Sequence, residues 1–463
     1  MRIAWIAAAL GAALAVAWRL PFLHAPLTAD EGGYAEVARL WSRSWTLYGN
    51  AWVDRPQGLV LAFRGALAAG LGSTGGLRAV AAAVAAATVV VVFLLARRLC
   101  GPVAGAAAAL LLGTLGASPW IESFTLQGEL IAALPAAAAV LAFSEFAVRR
   151  RWAWLVAAGL LAGAAPMVKQ SAVDAFVAVT ALLVWTRAWR LLAVFVAAAC
   201  VPVAAAALSA AHPSAWWFAV VRYRAADTSL FAGSFAGHLH AFADSLPAAA
   251  RALGPLVLLA LLGLRASPPL VRLWLAGAMV GVLGGGAFHP HYYVQLAPPL
   301  AVLGGIGVAR VAEARRGVAV ATLGAAGIGA LAVTVPLWLD SPAAQARAIW
   351  PKDTHLLEDA AVAHYLDAHT SRTQRALVLW AAADLYYLAD RDPVQRYLWF
   401  SNLRDAPGAL RGVRRVLAAR APALVAVEQP LGLLDRGGDR RILSTEYRRV
   451  AVVDGVPLYR PLP

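Results

Sequence analysis

Apolar runs of about 16 to 22 residues recur along this chain of 463 residues. They are too long for ordinary core strands, and they have the length to cross about 30 Å of hydrocarbon. They lie near 3–23, 77–96, 103–119, 129–148, 152–168, 172–186, 191–210, 251–264, 273–288, 292–309 and 318–338. The expected fold class is mostly α, a polytopic membrane protein with about eleven transmembrane helices.

The distribution of charge sets the expected topology. Arg97-Arg98, Arg149-Arg150-Arg151, Arg187 with Arg190, Arg265 with Arg272, and Arg310 with Arg315-Arg316 all fall in alternate gaps between runs. The positive-inside rule places these clusters, with the N-terminus at Arg2, in the cytoplasm, and leaves the C-terminus outside. A net charge of +15 therefore reads as topogenic, and nucleic-acid binding is excluded on that ground. Two cysteines, Cys100 and Cys200, cannot make a metal framework. The first run has the small residues of a signal peptide but no convincing cleavage site, so a retained signal anchor is expected.

The opposite side holds Asp30, Glu31, Glu36, Asp54, Arg55, Glu122, Glu129, Lys169 and the His289-Pro290-His291-Tyr292-Tyr293 segment, so acids and aromatics gather there. Two of its loops are long. Residues 24–76 hold an amphipathic stretch at 31–47 and a second helix-like stretch at 56–71, both expected to lie on the membrane surface. Residues 211–250, with Trp216, Trp217, His238 and His240, suggest another surface-lying segment. The composition divides the chain at about 340 into a transmembrane module, 1–339, and a small extracytoplasmic α/β domain, 340–463. In the latter, 357–370 and 407–419 read as helices, 376–380 and 424–427 as strands, and 447–459 as a terminal hairpin.

An acid pair next to a hydrophobic span is expensive, which singles out Asp30 and Glu31 as catalytic candidates. Thr28-Ala29-Asp30-Glu31 also fits a capping box, which accounts for Glu31 without chemistry. In Asp54-Arg55-Pro56-Gln57-Gly58, Arg55 either precedes a proline-started helix or offers a planar fork to a phosphate. Lys169 is a snorkelling lysine or a phosphate contact. Glu129 opens an apolar span, and Glu122 stands seven residues before it. His289 and His291 make a short His-x-His, weak for a metal without a third ligand. Tyr292 and Tyr293 suit a binding face or an aromatic belt equally.

The segment Asp30-Glu31-Gly32-Gly33-Tyr34-Ala35-Glu36, followed by Trp45 and Arg55-Pro56, resembles the first outer loop of the GT-C superfamily of membrane glycosyltransferases. The likeness is to the lipid A aminoarabinose transferase and protein O-mannosyltransferase-like (family 39-type) group. Where that group has Lys-Pro-Pro, this chain has Arg55-Pro56-Gln57, keeping the cation and losing the second proline. Gln127-Gly128-Glu129, Lys169, Tyr292-Tyr293 and Pro298-Pro299 also look family-like.

The resemblance implies an inverting glycosyltransferase. It would move a sugar from a polyprenyl-phosphate donor to a lipid, glycan or protein hydroxyl at the outer face of a bacterial cytoplasmic membrane. Asp30, with Glu31, would be catalytic; Tyr34, Arg55, Glu122, Glu129, Lys169, His291, Tyr292 and Tyr293 would bind substrate. Some relatives hold a divalent metal ion near these acids, and the sequence leaves that open here. The alternative is a flippase or transporter of polyprenyl-linked sugars, for which ionisable residues nearer the bilayer midplane and internal repeats are expected.

Overall fold

The computed structural model of the chain describes residues 2–227, 234–353, 355–380 and 382–463. Every apolar run lies largely on helix. Among the described residues, seven helices have the length and apolar composition to cross a membrane, including Arg2–Phe22, Gly128–Arg149, Trp189–Ser209, Phe235–Leu264, Pro290–Ala314 and Arg316–Leu339. The seventh, Thr74–Ala117, spans 44 residues, about twice what one crossing needs. It is broken in the middle by Cys100 and by Gly101, whose φ of 86° suits a residue without Cβ. Pro102 follows, so the two expected spans 77–96 and 103–119 form one folded-back unit. Four further apolar helices among the described residues are shorter: Gln57–Ala68, Trp152–Ala164, Asp174–Trp185 and Pro269–Gly285.

The stretch expected at 31–47 is the helix Ala29–Ser42, started by Thr28, whose side chain accepts from the Glu31 N–H at 3.2 Å. It does not lie on an open surface. Residues 31–38 are buried, and the C-terminal region covers part of them. A Cβ added at Gly32 would collide with Asp384, and one at Gly33 with the Trp399 ring, so the two glycines permit this close approach. Arg39 and Arg43 then pair with Asp390 and Asp392 across the seam. An amphipathic pattern reads the same whether its apolar face meets lipid or protein, and here protein covers it.

The 56–71 stretch is the helix Gln57–Ala68. The 211–250 stretch departs from expectation. Short helical pieces from Pro213 to Asp227 lead to one 30-residue helix, Phe235–Leu264, capped by Ser234. Its first half therefore continues a spanning-length helix; residues 228–233 lie outside the described residues.

The C-terminal region follows the expected order. Helices Asp359–His369 and Ala409–Ala418 accompany strands β1 (Ala376–Leu379), β2 (Leu424–Val427), β3 (Tyr447–Val453) and β4 (Val456–Pro461). The sheet order is β1-β2-β4-β3, with β1 and β2 parallel and the last two strands a hairpin. One continuous apolar core runs from the membrane helices into this sheet.

Candidate active site

Loops from opposite ends of the sequence meet at a cavity of about 430 Å³. Asp30, Tyr34, Arg55, Glu122, His291 and Tyr292, six of the residues singled out from sequence, line it.

Asp30 stands in the first turn of the Ala29–Ser42 helix, half-buried, where the helix dipole favours a carboxylate. Trp399 Nε1 donates to its Oδ1 at 3.0 Å. Among the described residues nothing bonds Oδ2, so one oxygen is held and the other can accept a proton.

Glu31 is placed differently from its neighbour. It is fully buried and does not line the cavity. It accepts from the Leu126 N–H at 3.0 Å and pairs with Arg78 at 3.0 Å. Arg78 also donates to the carbonyls of Phe22, Ala25 and Pro26, so this pair ties the first loop to the Thr74–Thr114 helix. Glu31, expected beside Asp30 in the chemistry, thus faces Arg78 and not the cavity, because successive helical residues point about 100° apart.

A basic edge closes the next wall. Arg55 donates to the Tyr34 hydroxyl at 3.1 Å and to Asp54 Oδ2 at 2.8 Å, and Arg224 reaches the same Asp54 oxygen at 2.8 Å. Burial alone would raise the Asp54 pKa, but the two guanidiniums more than reverse it and hold the carboxyl below its usual range. Burial pushes the Tyr34 phenol well above its ordinary value, so it stays protonated beside Arg55.

Five of the expected residues form a chain of contacts. Glu122 Oε2 lies 3.2 Å from His291 Nδ1, and His291 Nε2 lies 4.0 Å from Glu129. Glu129 pairs with Lys169 at 2.8 Å, and the Lys169 ammonium sits 4.9 Å from the centre of the Tyr292 ring. Glu129 and Lys169 do not line the Asp30 cavity. Lys169 instead lines a neighbouring apolar groove of about 840 Å³. Arg224 and Tyr292 line both spaces, so the groove meets the cavity at a cationic junction. Tyr293 is not at the site. Its hydroxyl pairs with Ser245 at 2.6 Å, because adjacent residues of the Pro290–Leu296 3₁₀ turn face different ways.

Sequence reasoning missed Arg78, Arg224 and Trp399. Arg78 carried a signal, a charge in an apolar helix. Trp399 carried none, since its partner is 369 residues away. As to a metal ion at Asp30, its Oδ1 is taken by Trp399, and no group of three His, Cys, Asp or Glu ligand atoms converges there among the described residues. Among the described residues, the triad whose ligand atoms converge is elsewhere, at His355, Glu358 and Glu428.

Residues 58–217 match the model of the dolichyl-phosphate-mannose-protein mannosyltransferase family. No curated protein matches the chain. Among solved structures, the chain is similar to ArnT from Cupriavidus metallidurans bound to undecaprenyl phosphate, with TM-score 0.67 and 17% identity over 98% of this chain and 97% of that one. It is also similar to the oligosaccharyltransferase AglB from Archaeoglobus fulgidus in complex with an inhibitory peptide and a dolichol-phosphate, with TM-score 0.52 and 13% identity over 92% and 69% of the two chains. The chain has the GT-C fold and is a multi-pass membrane protein.

Proposed function

We propose that this chain is an inverting glycosyltransferase that takes a sugar from a polyprenyl-phosphate donor and passes it to a hydroxyl acceptor. The observation that carries the reading is the junction of two spaces. A polar cavity holding Asp30 shares Arg224 and Tyr292 with an apolar groove that Lys169 lines. A donor of this class has the same two parts, a lipid tail and a charged headgroup. The ArnT and AglB structures hold polyprenyl phosphates of that kind.

The chemistry follows from the placement. The tail occupies the apolar groove and the phosphate meets Lys169, Arg224 and Arg55. The acceptor hydroxyl gives its proton to the free oxygen of Asp30 as its oxygen bonds to the anomeric carbon. The bond from that carbon to the phosphate oxygen breaks on the opposite face, inverting the configuration. Polyprenyl phosphate leaves with the electron pair and, as a weak base, needs cations more than a general acid. The Glu122–His291–Glu129–Lys169 chain positions the lysine at that end. Arginine clusters alternate along the chain with the loops that build the cavity, so the positive-inside rule supports reaction at the outer face, with a cytoplasmic N-terminus and the C-terminal domain outside.

The test uses protein in lipid with a panel of polyprenyl-phosphate sugars and candidate acceptors. Release of polyprenyl phosphate by the wild type, lost in a folded Asp30→Asn, is the expected result. Equal release by both removes Asp30 from the mechanism. Movement of an intact donor across liposomes without release would make the chain a transporter instead.

A further inference from the structure

Beside the Asp30 cavity lies a second chamber of about 750 Å³, lined by Glu122, His289, Asp353, His355, Asp359 and Glu428 among others. One wall belongs to the C-terminal domain and is crowded with carboxylates. Asp353 and Glu358 come from the connection before the Asp359–His369 helix, Asp359 from its first turn, and Asp384 from the start of the Ala383–Leu388 helix. Glu428 follows β2 directly.

Asp384 and Glu428 are buried, and neither oxygen of either carboxylate has a hydrogen-bond partner. Asp359 is buried with one oxygen in the same condition. Among the described residues no lysine or arginine pairs with any of the three. Unpaired charge at such depth is costly, and a bound cation would offset it.

His355 and Glu428 line the chamber, and Glu358 stands beside them. His355 Nδ1 lies 3.3 Å from Glu358 Oε2 and 3.4 Å from Glu428 Oε2. One ligand atom from each of the three lies within 4.8 Å of the others. A single Nδ1–H can donate to one carboxylate at a time, and a charge-assisted bond would draw it to about 2.7–2.9 Å. Two nearly equal separations of this length suit ligands sharing one ion. Tetrahedral geometry with bonds of about 2.0–2.1 Å sets donors roughly 3.3–3.4 Å apart.

We propose that His355, Glu358 and Glu428 form a binding site for a divalent transition-metal ion, zinc by donor type and spacing, on the chamber wall. Asp384 and Asp359 stand behind it as buried negative charge. The ion ties the connection at 355–358 to the end of β2. It also offsets the acidic wall next to Asp353, which lines both the chamber and the Asp30 cavity. Three protein ligands leave a fourth position for water or a chamber ligand.

The test uses the full chain in lipid nanodiscs, stripped with a chelator and titrated with zinc chloride. Bound zinc is counted by elemental mass spectrometry and thermal unfolding is followed in parallel. The expected result is one zinc per chain and a raised unfolding temperature in the wild type and in Asp30→Asn. Glu428→Gln and His355→Ala should both lose the zinc and the temperature rise. Metal-free Glu428→Gln should unfold no lower than the metal-free wild type, because it removes a buried charge, and this shows that the loss is not misfolding. No zinc on the wild type overturns the proposal. So does unchanged binding in both site variants, or loss of zinc in Asp30→Asn. None of these readouts depends on sugar transfer.

Discussion

Trp399 Nε1 donates to Asp30 Oδ1 at 3.0 Å, joining the C-terminal region to the carboxylate on which the proposed chemistry turns. That region thereby orients the proton acceptor. Trp399→Phe keeps an aromatic ring against Gly33 and removes only the N–H. A hydrogen bond to a charged group contributes about 1.5–3 kcal/mol, and half of that at the transition state is about tenfold in rate. Turnover, read as initial release of polyprenyl phosphate, should therefore fall about tenfold while the unfolding temperature holds. A rate equal to wild type would mean that the helix alone positions Asp30.

Gly33 tests the same seam from its other side. In Gly33→Ala the new Cβ meets the Trp399 ring and Ala383 Cβ, the latter at 2.8 Å. Overpacking of this kind costs about 1–3 kcal/mol. Gly65 is the control, a helical glycine with no atom within 4 Å of an added Cβ. Gly65→Ala should gain about 0.5–1 kcal/mol through backbone entropy. Opposite shifts in unfolding temperature are expected, and a Gly33→Ala as stable as wild type would show that the two layers slide apart at little cost.

Part of this arrangement is legible in the sequence for a simple reason: charge beside an apolar run is conspicuous. Asp30, Glu122, Glu129 and Lys169 all stand at ends of such runs, and the last three come together with His291 as one connected set. The strand and helix order of the tail was readable from its short apolar runs and alternation. What stayed hidden depends on direction or distance. Asp30 and Glu31 look alike as letters, yet one helical step turns Glu31 toward Arg78, 47 residues on. Tyr292 and Tyr293 divide in the same way. The 31–47 pattern could not reveal that Trp399 and Asp384, rather than lipid, cover its helix.

Glu31→Gln and Asp30→Asn should separate stability from chemistry at adjacent positions. Glu31→Gln leaves Arg78 buried without its carboxylate, a change worth about 3–5 kcal/mol. Three carbonyls still accept from Arg78, so the lower end is expected. Its turnover per folded molecule should stay within a few-fold of wild type. Asp30→Asn should unfold normally and lose about 10²–10⁴ in turnover, the range of a general base. Paired unfolding and rate measurements decide it, and a stable Glu31→Gln with no turnover would return Glu31 to the chemistry.

Asp54 gives a pH dependence whose sign is fixed by its neighbours. Burial would raise its pKa, but Arg55 and Arg224 lower it below the ordinary value. The unfolded chain therefore binds this proton more readily than the folded one. The resulting stability is fully present above the ordinary aspartate range, near about 4, and is lost as pH falls through the lower folded value. Asp54→Asn removes that term and leaves two guanidiniums facing each other without their shared anion. Between about pH 6 and pH 3, the wild-type unfolding midpoint should fall more steeply than that of Asp54→Asn, with most of the difference below about pH 4. Parallel slopes would mean that Asp54 titrates alike in both states, and that the two arginines owe their placement to Tyr34 and the surrounding backbone rather than to this carboxylate.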